Sequence, residues 1–222
     1  MLDVGRVRDR PADVWEGSVK LYYSPGSCAL GIHVLLEEIG APFEAQRINF
    51  AEREQFSEAY LAINPKAKVP ALRLGDGAVL TEFQAIALYL GLTHPEKRLV
   101  PPSAEAQARM METMDYAVGT VHATGFRRLF RPSEFAAREE DHDAVKARGL
   151  EIIANGFALI DKGLAGSDWA VGEFSLADAA VFYPSFWAAA RLRIPLPANL
   201  EAHYRRMMAR PAVAKALKDE GL

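Results

Sequence analysis

The stretch KLYYSPGSCALGIH, residues 20–33, reads as a strand, a tight turn and the start of a helix. Lys20-Leu21-Tyr22-Tyr23 is short, apolar and aromatic, as a buried strand is. Ser24-Pro25-Gly26-Ser27 is turn chemistry, with proline fixing φ and glycine supplying a permissive backbone. Leu30, Val34, Leu35 and Ile39 then recur at helical spacing until Gly40 stops the run. Cys28, the only cysteine of the chain, falls on the first turn of that helix. Unpaired backbone N–H groups and the helix dipole favour a thiolate over a thiol at such a place. A lone cysteine is also a common inert core residue; its position at a strand-to-helix turn is what makes Cys28 the candidate reactive group.

Working outward, strands and helices alternate from Val19 to Leu92. Phe43 to Ile48 alternates as a second strand, and strands joined through a helix pair in parallel with a right-handed crossover. Glu52 to Leu61 reads as a loop and a short helix, stopped by Asn64-Pro65. Val69 to Leu74 and Ala78 to Leu80 flank Gly75-Asp76-Gly77, a strong hairpin signal. Thr81 can cap a last helix from Glu82 to Gly91. The order βαβαββα predicts a thioredoxin-like domain. Where a redox thioredoxin carries Cys-x-x-Cys, this chain has Cys28-Ala29-Leu30-Gly31. Such a monothiol site needs an external thiol as its partner.

Thr93 to Ser103 holds three prolines and breaks every period, marking a domain boundary. The sequence thus predicts an extension at 1–18 that is flexible unless Val14 and Trp15 dock, an α/β domain at 19–97 and an all-α domain at 104–222. One helical pattern runs from Ala104 to Arg131, a second from Arg138 to Lys162. Ser175 with Asp178 resembles a capping box, Phe174 stands where a hydrophobic staple would, and the helix they open is apolar nearly all round.

With 222 residues and a formal charge of −3, the chain gives no reason to expect nucleic acid or an anionic membrane as partner. No apolar run approaches the ~20 residues that span a bilayer, and the first 18 residues lack the apolar middle of a signal peptide. One cysteine excludes an internal disulfide and fits a reducing compartment, so a cytoplasmic location is expected. His33, His94, His142 and His203 show no metal-ligand spacing with one another or with Cys28, and no metal is expected.

KLYYSPGSCAL, YLAINPKAKVPAL, LTEFQAIALYL and VGEFSLADA, in this order and spacing, resemble the cytosolic glutathione transferases, specifically their bacterial Beta class. The resemblance covers Val19 to Leu222. It implies glutathione as cosubstrate, a small hydrophobic electrophile or a disulfide as second substrate, and a homodimer. Val69-Pro70 matches the family's cis-proline turn, where Val69 pairs its backbone with the glutathione cysteinyl group. Glu82 matches the acid that holds the γ-glutamyl amine, although an ordinary first-turn glutamate would look the same. His122 matches the histidine that assists the active cysteine. Arg53 is the candidate for the glycyl carboxylate. Phe83 stands where the family carries Ser or Gly, its ring either reshaping glutathione binding or turning into the core, and Asp115 and Gly119 stand where it often has Asn and Ser. Phe126, Phe130 and Trp187 are candidates for an acceptor site. The implied activity is glutathione transfer or thiol exchange, with Cys28 either stabilising the glutathione thiolate or forming a mixed disulfide. The alternatives are a dehalogenase, ether-cleaving or peroxide-reducing relative, or a binding module without turnover, a reading that Phe83 and Gly119 favour.

Overall fold

In the computed structural model, which describes residues 19–222, four strands form one sheet. They are β1 (Val19–Tyr23), β2 (Phe43–Arg47), β3 (Ala71–Arg73) and β4 (Val79–Thr81), in the order β2-β1-β3-β4. The extension expected at 1–18 lies outside the described residues. β1 is buried at every position but Lys20, as its apolar run requires of a central strand. It pairs in parallel with β2, Leu21 opposite Ala45, and antiparallel with β3, Leu21 opposite Leu72. The β1–β2 crossover is α1 (Ala29–Ile39), closed by Gly40 in the left-handed region at φ 72° with its N–H on the Leu36 carbonyl. A short helix α2 (Glu58–Leu61) precedes β3, and the predicted hairpin at Gly75-Asp76-Gly77 joins β3 to β4. Asp76 Oδ1 there accepts the Ala78 N–H at 3.0 Å. Helix α3 (Phe83–Thr93) follows β4 and packs on α1.

The chain divides into two units. One runs to Arg98 and also takes in Lys215–Leu222; the other is Leu99–Ala214. The first carries the thioredoxin-like sheet and the second is helical. Its α4 (Ala104–Asp115) opens on Ser103, whose Oγ accepts the Ala106 N–H. It continues through a π-helical stretch, Tyr116–Phe126, into α5 (Arg127–Phe130). The sequence reads this as one 3.6-residue pattern, because apolar spacing does not register a wider turn. Thr124 Oγ1 donates to the Gly119 carbonyl at 2.9 Å within that stretch. Helix α6 (His142–Gly163) begins later than predicted, since Glu139–Asp141 winds as a 3₁₀ turn. Its glycines let it approach closely: a Cβ at Gly156 would lie 2.6 Å from Val121 Cγ2.

Helix α7 (Leu176–Phe186) is buried along its whole length. Asp178, fully buried, accepts the Ser175 N–H at 2.8 Å as the capping box predicts. It also accepts the Ala170 N–H at 2.8 Å and meets His203 Nε2 at 2.9 Å. His203 belongs to α8 (Ala198–Met208), and α9 (Pro211–Glu220) ends the fold. Among the described residues no helix is long and apolar enough to cross a membrane.

Candidate active site

Cys28 stands at the N-cap of α1, as the strand-turn-helix reading requires. The turn before it is tied by the Ser27 N–H on the Ser24 carbonyl at 2.9 Å, with Gly26 at φ 64°. The state of the thiol differs from the expectation. Although Cys28 as a residue is only partly buried, packing around its sulfur removes water and pushes the thiol up to about 12. Backbone N–H groups of Cys28 and Ala29 and the charge of Lys68 pull the other way without offsetting that desolvation. The thiol instead donates to the Val69 carbonyl, Sγ to oxygen 3.4 Å. At neutral pH this is a hydrogen-bond donor, not a thiolate.

Val69–Pro70 is a cis peptide bond, as the resemblance implied. The backbone just before it is pinned, because the Lys68 carbonyl accepts both the Tyr60 hydroxyl at 2.6 Å and Asn64 Nδ2 at 2.7 Å. Tyr60 and Asn64 are themselves buried, so the turn that faces Cys28 rests on the core.

Glu82, and not Thr81 as expected, occupies the N-cap of α3 at φ 72°, ψ 130°, because Thr81 is still the last residue of β4. Its carboxylate is largely exposed and receives Lys66 Nζ at 2.6 Å, while the same ammonium reaches Thr81 Oγ1 at 2.8 Å. The negative charge of Glu82 adds a small push upward on the Cys28 thiol. Phe83, the first residue of α3, is 3% exposed and so counts with the core. Arg53 is exposed, with its guanidinium 5.0 Å from the centroid of the Phe56 ring.

The helical unit carries the other candidates. His122 lies in the π-helical stretch, Nδ1 3.0 Å from the Tyr183 hydroxyl. Its ring meets Trp187 edge-on, centroids 4.8 Å apart. Phe126 and Trp187 are buried, and Phe130, 44% exposed, stacks on Phe126 and lies 5.5 Å from Trp187. Asp115 is exposed at the end of α4, on a cleft of about 610 Å³ that Glu112, Tyr116 and Leu159 also line. Nothing lies within 4 Å of a Cβ built at Gly119, so no packing demand explains that glycine.

The structure thus joins Cys28, Val69, Pro70 and Glu82 in the first unit, and His122 with the aromatic cluster in the second. Sequence reasoning missed Lys66, Lys68 and Tyr183. The two lysines immediately before Val69-Pro70 were a usable signal, whereas Tyr183 reads as one more core residue of an apolar helix.

Residues 25–93 match the family described as glutathione S-transferase, N-terminal domain. The chain is 34% identical to glutathione S-transferase GstA of Escherichia coli O157:H7 over 92% of this chain and all of that protein. Among solved structures, a sphingomonad glutathione S-transferase complexed with glutathione is 36% identical with a TM-score of 0.77, covering 91% of this chain and 99% of that one. The bacterial beta class glutathione S-transferase of Sphingomonas chungbukensis is 34% identical with a TM-score of 0.78, at the same coverage.

Proposed function

The chain belongs to the glutathione S-transferase family and is a glutathione transferase, and we propose that Cys28 serves it as a hydrogen-bond donor to the glutathione sulfur. The observation that carries this is Cys28 Sγ lying 3.4 Å from the Val69 carbonyl, and burial that pushes the thiol up agrees with it. On the family's pattern the cysteinyl group of glutathione pairs with the Val69 backbone. A cysteinyl N–H that takes the Val69 carbonyl releases the Cys28 S–H, which then turns to the sulfur beside it. A hydrogen bond to a charged acceptor is stronger than one to a neutral group, so the bound sulfur gives up its proton at lower pH.

Glu82 offers a carboxylate to the γ-glutamyl amine, with Lys66 as the ammonium it exchanges for that ligand. Lys68 adds positive charge near the sulfur. Arg53 stays the candidate for the glycyl carboxylate and Asp115 for a further polar contact. His122, held by Tyr183, is the group proposed to receive the glutathione proton. The second substrate is a small hydrophobic electrophile, with Phe130 as the exposed edge of the aromatic cluster that would receive it. The working form proposed is a cytoplasmic homodimer.

Titrating the ultraviolet thiolate absorbance of bound glutathione tests the reading. In the wild type the midpoint falls below that of free glutathione, and in Cys28→Ala it moves back towards it. A midpoint unchanged in Cys28→Ala would sink the donor role.

A further inference from the structure

The last turn of the chain carries a carboxylate with no part in the reaction so far, and it reaches both sides of Cys28. Glu220, the final residue of α9, has a fully buried side chain. Its Oε2 accepts the Gly26 N–H at 2.7 Å, in the turn before Cys28. Its Oε1 lies 3.0 Å from Nδ1 of His33, one turn into the helix after Cys28. Both partners are far off in sequence, at separations of 194 and 187 residues. A buried carboxylate that accepts a backbone N–H and an imidazole N–H fixes both donors, since neither has water to turn to. Lys215 holds the same helix to α1, its ammonium 3.1 Å from Glu37 and 2.6 Å from Asp219. His33, Glu37 and Asp219 bring ligand atoms within 4.8 Å of one another, but Lys215 already supplies the cation there.

We propose that Glu220 is a positioning residue for Cys28, the C-terminal helix serving as a strap that holds the Ser24–Ser27 turn so that the thiol stays packed under Val69. The inference builds on Cys28 being the working thiol, yet its test reads the thiol without glutathione. Glu220→Ala removes the carboxylate that the Gly26 N–H donates to and loosens the turn. Glu220→Gln keeps both contacts: its carbonyl accepts the Gly26 N–H, and its NH₂ donates to His33 Nδ1 in the other tautomer.

The experiment is the pH profile of iodoacetamide alkylation, which in this chain labels Cys28 alone because no other cysteine exists. In Glu220→Ala the midpoint falls by about one pH unit, which is about tenfold in rate below it; Glu220→Gln follows the wild type. A folded Glu220→Ala protein with the wild-type profile overturns the proposal. Hydrogen exchange on the wild type decides if that variant does not fold: the Gly26 amide is protected as strongly as the amides of β1, and rapid exchange there overturns the proposal equally. Failure of the glutathione titration in Cys28→Ala leaves both readouts intact, so the two readings fail separately.

Discussion

At the scale of single residues, Cys28 shows how one group can be placed by sequence and tuned by structure. Its position on the first helical turn follows from KLYYSPGSCALGIH alone. Its protonation does not, because burial of the sulfur is set by the folded packing and the carbonyl it donates to, that of Val69, lies 41 residues away. The helix-start effect is present in the backbone N–H groups, and burial outweighs it. Only the thiolate attacks an alkylating reagent. With the folded thiol at about 12, alkylation of the free protein is slow at neutral pH and rises with each pH unit towards that value. A plateau already reached near neutrality would contradict the thiol assignment. Phe83 makes the opposite point. Its place in the sequence leaves it either reshaping the γ-glutamyl site or turning into the core, and at 3% exposure it is a core residue. Phe83→Ala should cost about 3–5 kcal/mol in denaturant unfolding, the usual loss for a buried ring; a loss under about 1 kcal/mol would place the ring outside the core.

At the scale of elements, the strands, the hairpin and the capping box were legible because each is written in neighbouring residues. Gly75-Asp76-Gly77 and Ser175 with Asp178 are local signals with local causes. The π-helical stretch that carries His122 was not legible, nor was the Tyr183 contact that orients its ring, since these partners lie 61 residues apart. The capping box also proved to be only part of Asp178's work. The same carboxylate serves Ser175, Ala170 and His203, all without access to water at Asp178 itself. Asp178→Ala is therefore expected to lose about 3–5 kcal/mol of stability, in the range for breaking a buried pair, in equilibrium unfolding. Loss of no more than an ordinary exposed cap, about 1 kcal/mol, would show that the hub carries little.

For the whole molecule, four short segments sufficed for the family, because the strand-turn-helix, the Val69-Pro70 turn, the Glu82 helix start and the capping box arrive in a fixed order. What they could not carry is which distant segments meet. Glu220 returns to Gly26 across 194 residues, and no local pattern announces that contact. The protonation of the Cys28 sulfur is a property of the folded chain, and it separates the two roles a cysteine can play. A donor is replaceable by another hydroxylic donor, whereas a nucleophile that forms a mixed disulfide is not. The most direct measurement is steady-state conjugation of glutathione to a small aromatic electrophile by wild type, Cys28→Ser and Cys28→Ala. The donor role predicts that Cys28→Ser keeps most of kcat/KM, since its O–H still reaches the glutathione thiolate, while Cys28→Ala falls by about 10-fold or more, as loss of one preorganised donor costs. Equal, complete loss in both variants, with a glutathionyl adduct on the wild-type cysteine in intact-mass spectra, would contradict it.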